Sequence, residues 1–163
     1  MSSYRMGSAS TTAYYQIRAQ GMAFIDKPAD ELPSMPHDIT ELSDTSLMTL
    51  YAEVVAWAEY SSSQLSAAVI DEKHAQRQAD QAEALAVSQL MLGGSSATAA
   101  RNEAKLNQDV IAAYNFLFEA EAYRRMVETI VTSCDRNAAM VSRELTRRTS
   151  SERQRRAGST WTL

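Results

Sequence analysis

The chain has 163 residues, with 20 acidic and 16 basic side chains, a net charge of −4 and one cysteine. That length suits one domain or one extended helical unit, and the acidic balance excludes a generic nucleic-acid binder. A single cysteine excludes an internal disulfide framework, and no run of about 18 apolar residues is present to span a bilayer.

The first stretch, MSSYRMGSASTT (1–12), is small and polar and reads as a flexible tail. AYYQIRAQGMAFI (13–25) has enough apolar mass for a short docking helix or strand, interrupted at Gly21. All three prolines fall in DKPADELPSMPHD (26–38), which reads as a linker because proline removes amide donors and disfavours helix before it. Residues 1–41 are therefore expected to be an irregular, flexible arm. No charged n-region precedes an apolar run, so a secretory signal is not expected, and a soluble protein of a reducing cytoplasm is.

From Leu42 the pattern becomes helical. Ser43 or Asp44 is suited to cap a helix whose face carries Leu47, Leu50, Val54 and Trp57 at steps of three and four. No proline or glycine follows until Gly93-Gly94, so one helix of about 48 residues, roughly 70 Å, is predicted. Its later stripe (Leu65, Ala68, Ala75, Ala79, Ala82, Ala86) is mostly alanine, which admits a close neighbour but buries little area per residue.

Gly93-Gly94-Ser95-Ser96 is the strongest turn signal, and a second helix is predicted from there to about Thr149. Its stripe (103, 106, 110, 113, 117, 120, 124, 127, 131, 134, 138, 141, 145) alternates threes and fours, and only Glu103 and Arg124 in it are not apolar. Strict heptad spacing over that length predicts a coiled coil, hence an all-α fold built on a long antiparallel helical hairpin at 42–149, turning at 93–96. Tyr114, Phe118, Tyr123, Met126 and Ile130 lie beside or outside this stripe. A second apolar face predicts oligomerisation of hairpins, with docking of residues 13–25 as the alternative.

Chemistry is sparsely signalled. His37 lies in the linker and His74 in a charged helix without enough ligands for zinc. Cys134 holds a core heptad position, with no base at helical spacing to activate it. GGSSAT lacks the lysine of a phosphate loop, and the carboxylates of Asp71-Glu72 or Glu119 and Glu121 lie along helix surfaces. The expectation is a protein without catalysis, metal or cofactor.

Charge is unevenly placed. Residues 38–92 carry nine acids against Lys73 and Arg77, whereas VSRELTRRTSSERQRR (141–156) carries six arginines against two glutamates. At about 100° per residue, Arg136, Arg143 and Arg147 fall on one stripe opposite the seam. Glu144 precedes Arg148 by four and Glu152 precedes Arg156 by four, the favourable order for intrahelical pairing. Arg143, Arg147, Arg153 and Arg155 are left without evident partners, and arginine suits bidentate contact with phosphate. A solvated, functionless helix end is the competing reading, and 150–163 is expected to be a flexible basic tail.

The LYAEVVAWAEY helix opening, the glycine turn and the terminal VSRELTRR resemble small helical proteins of tailed phages, including those infecting actinobacteria. The layout over 42–149 is similar to the UvsY-type recombination mediators of large phages. That resemblance implies an oligomeric hairpin that binds single-stranded DNA and helps load a recombinase, acting in the host cytoplasm. The chain departs from the pattern in its acidic, alanine-rich first helix and in residues 1–41, which have no counterpart. DNA contacts carry over to Arg136, Arg143, Arg147, Arg148, Arg153, Arg155 and Arg156, and also to Arg101 and Lys105 after the turn. Assembly of a scaffold through helix faces, and capture of a host protein, are the other functions compatible with this layout.

Overall fold

The computed structural model describes residues 7–22 and 25–159. Its helices, in chain order, are α1 (Ser8–Ala19), α2 (Asp44–Leu92), α3 (Ala97–Ala104) and α4 (Gln108–Ser159), with a 3-10 turn at Ile39–Glu41 before α2. The described residues are all-helical apart from turns and irregular segments. Residues 1–6 of the tail expected at 1–12, and residues 160–163 of the tail expected at 150–163, lie outside the described residues.

Local chemistry sets the boundaries. The Ser43 hydroxyl accepts from the Ser46 amide at 3.1 Å and caps α2, and Ser96 does the same for α3. At the far end of α2, Gly94 adopts φ +97 while the Gly94 and Ser95 amides donate to the Met91 and Leu90 carbonyls. This is a Schellman closure, and a side chain at Gly94 would strain it. Gly21 ends α1 the same way, with the amides of Gly21 and Met22 on the carbonyls of Arg18 and Ile17.

Contacts divide the chain into two compact units. The first joins Ile25–Ser62 to the chain from Thr129 onward; the second joins the α1 region to Ser63–Glu128. Both α2 and α4 contribute a segment to each unit, and in each the two segments run antiparallel. In the first unit Asp44 meets Arg148 and Ser61 meets Cys134. In the second, Gln64 meets Tyr123 and Glu83 meets Tyr114.

The first unit has a core of branched side chains: Leu47, Leu50, Val54 and Val141, with Met35, Ile39, Leu42, Tyr51, Ala138 and Leu145 against it. Met35 comes from the segment read as linker and Ile39 from the 3-10 turn after it, and Lys27 Nζ sits 5.8 Å from the Trp57 ring centre. The proline segment is thus irregular and mostly exposed, touching the core through Met35. The second unit is built from small residues, with Ala75, Ala79 and Leu117 in one cluster and Ala86, Ala104 and Val110 in another.

The heptad stripe is realised from Val110 to Leu145, where every apolar member is buried or half-buried. It fails at its start, since Glu103 is exposed and Leu106 is 74 % exposed. The predicted single second helix is broken there: Asn107 accepts from the Asp109 amide at 2.8 Å and starts α4 afresh, which resets the helical phase. Ala100 and Ala104 of α3 are buried instead. Two further expectations change. Residues 8–19 form a helix, overlapping the short docking helix offered for 13–25, and residues 150–159 continue α4 as helix where a tail was expected.

Candidate polyanion-binding surface

The C-terminal half of α4 carries seven of the candidate arginines, and their environments sort them into two kinds. Glu144 is the divider. It is only 6 % exposed, and its carboxylate accepts from Arg147 through Nε and one terminal nitrogen, both at 2.7 Å, and from Arg148 Nε at 2.7 Å. Hydrogen bonds from Arg147 and then Arg148 hold its carboxyl down at about 2, against an ordinary 4.5.

Arg148 is the consumed kind. Nε takes Glu144; one terminal nitrogen donates to the Leu42 carbonyl (2.8 Å) and Asp44 Oδ1 (2.6 Å). The other terminal nitrogen donates to the carbonyls of Ile39 (3.3 Å) and Thr40 (2.9 Å). A guanidinium has five N–H donors, and five acceptors surround this one, which is 19 % exposed. The expectation that Arg148 contacts phosphate is therefore corrected: it ties the turn preceding α2 to α4 and has no donor to spare. Pairing by four residues pointed to Glu144, while the three backbone carbonyls lie more than a hundred residues away in sequence and left no local signal.

Arg147 is intermediate. It was expected to be unpaired, but the bidentate contact at three residues' spacing with Glu144 occupies one edge of a side chain that is otherwise 61 % exposed. Arg156 reaches Glu152 at 3.8 Å across an exposed surface, as its spacing predicts. Arg136, Arg143, Arg153 and Arg155 are exposed, and no ion pair involves them among the described residues. Arg101, in the last turn of α3, and Lys105 just after it are exposed too, but they belong to the second unit.

The residues expected to form an oligomer face also divide. Phe118 and Met126 are 71 % and 68 % exposed, and Ile130 is exposed as well. Tyr114 and Tyr123 turn toward α2 instead: the Tyr114 hydroxyl donates to Glu83 at 2.6 Å and that of Tyr123 approaches Gln64 Oε1 at 3.4 Å. Tyr123 is half-buried as a result, whereas Tyr114 makes its bond while still 39 % exposed. Nearby, Arg124, the one charged seam residue from Val110 onward, is half-buried and bonded to Glu72 and Glu128.

A contact that sequence reasoning missed holds α1. Asp71 accepts from the Gly7 amide (2.7 Å), the Ser10 amide (3.1 Å) and the Ser10 hydroxyl (2.7 Å), serving as a remote cap for a helix without its own side-chain cap. The signal was negative: a first turn without acid and a glycine at the cap position must borrow an acceptor. A Cβ on Gly7 would lie 2.7 Å from Asp71 Oδ1, so a side chain there would push the carboxylate aside.

Among the described residues no three His, Cys, Asp or Glu side chains gather to hold a metal ion, and no helix is long and apolar enough to cross a membrane. Comparison with known proteins finds no matching family, no matching characterised protein and no matching solved structure.

Proposed function

We propose that this chain is an oligomeric accessory protein that holds single-stranded DNA through the C-terminal arginines of α4, in the manner of a phage recombination mediator. The observation that carries the reading is the set Arg136, Arg143, Arg153 and Arg155: exposed, without an ion pair among the described residues, and on a stretch of α4 (136–156) that holds seven arginines against two glutamates. Placed on a chain of net charge −4, such a set directs a polyanion to one end of one helix instead of attracting it everywhere. Binding of this kind is mostly electrostatic. Four phosphates engaged on a single strand give a slope of about −3 in log K against log salt. Anisotropy of a labelled oligonucleotide, titrated at 50 to 200 mM salt, tests it. Absence of binding at low salt, or binding unchanged by Arg143→Ala with Arg153→Ala and Arg155→Ala, sinks the assignment.

The exposed Phe118 and Met126 favour a second reading, in which hairpins assemble as a scaffold through their outer faces. Light scattering without DNA at two ionic strengths tests the scaffold, which predicts salt-sensitive assembly, and the oligonucleotide titration tells it from the first reading.

A further inference from the structure

Beyond Arg148, α4 changes character. Arg148 is fixed to residues 39–44, whereas the hydroxyls of Thr149 and Ser151 bond back to the Leu145 and Arg147 carbonyls, one turn earlier on the same helix. Every residue from Glu152 to Arg156 is exposed. Helix here extends an existing helix, so no nucleation is needed and each residue's balance between helix and coil rests on propagation alone. That balance is marginal: Glu152 to Ala157 are good helix formers, but Thr149, Ser150 and Ser151, which join them to the rest of α4, are weak, Gly158 is weaker still, and Arg153 and Arg156, three apart, repel. The Glu152–Arg156 pair, exposed and 3.8 Å long, does little to offset this.

We infer that the length of α4 is set by its ligand: residues 149–159 exchange between helix and coil in the free protein and become fixed helix when phosphates engage Arg153 and Arg155. The inference rests on the proposed polyanion-binding role and adds its regulation. Phosphate removes the like-charge repulsion that opposes helix, so binding and helix formation favour each other. Residues 149–151 then act as positioning residues that set affinity without touching the strand. Arg148 marks the limit of the permanent helix, since its contacts with residues 39–44 hold the helix up to that point.

Hydrogen exchange on the full chain, free and with a thirty-nucleotide oligothymidylate at low salt, reads this out. In the free protein residues 149–159 are expected to exchange within seconds while residues 130–148 stay protected; bound oligonucleotide should slow 149–159 by about tenfold or more. Changing Thr149, Ser150 and Ser151 together to alanine should protect the segment before any ligand is added and tighten binding by about two- to fivefold. Full protection of 149–159 in the free protein, or none in the complex, overturns the inference and leaves DNA binding standing. Unchanged affinity in the triple-alanine chain also overturns it. Failure of the oligonucleotide to bind removes this inference together with the reading it rests on.

Discussion

The two units use the same two helices and are held together differently. In the first, branched side chains fill the seam, and a buried Glu144 with Arg148 seals its open end. In the second, alanines let the helices approach closely, and polar contacts such as Arg124 with Glu72 and Tyr114 with Glu83 run alongside. A buried Leu or Val contributes about 1.5–3 kcal/mol, whereas alanine contributes one methyl. Stability in the first unit is therefore concentrated in few residues, and in the second it is spread along the contact line.

Arg148→Ala should break the comparison most sharply. It leaves Glu144 with one partner and removes the bonds to the carbonyls of Ile39, Thr40 and Leu42, the largest loss of stability among these variants. Hydrogen exchange should show the loss in the first unit, around residues 39–62 and 134–148. The reverse probe is Ala79→Leu, which overfills the alanine seam at about 2 kcal/mol and should act on the second unit; equal effects on both units would contradict the division. Acid gives a graded effect. Because the Glu144 carboxyl is held at about 2, the unfolded chain takes up the proton first, so this contribution is fully present above about pH 4.5 and disappears as pH falls through about 2. Glu144→Gln should flatten that part of an acid-unfolding curve followed by circular dichroism. The smallest effect belongs to Gly7→Ala, which crowds Asp71 and should release α1 at about 1 kcal/mol, read as faster amide exchange in residues 8–19 with α2 and α4 unchanged.

How much was legible follows from the range of each interaction. The heptad stripe from Val110 to Leu145 and the alanine line of α2 are periodic, so the antiparallel hairpin could be read directly from spacing. Asn107 could not: in a periodic apolar context an asparagine is an ordinary helix-surface residue until its side chain is seen to cap the Asp109 amide. The arginines show the same limit. Their pairing with Glu144 and Glu152 is local and mostly visible, but the acceptors that consume Arg148 are backbone carbonyls brought in by the tertiary fold. Asp71 was equally hidden, as its partners on α1 are more than sixty residues away in sequence.

The Arg148 clamp also has a kinetic meaning. Its contact with Asp44 spans 104 residues of chain, whereas the Tyr114–Glu83 bond spans 31. Closing the longer loop from the open chain is costlier by about 1 kcal/mol of entropy. The Gly94 turn therefore offers the cheaper starting point, and pairing is expected to run from it along α2 and α4, reaching the Arg148 contacts last. A group that binds last is well placed to report completion: until Arg148 is satisfied, the arginines beyond it have no firm helix from which to extend.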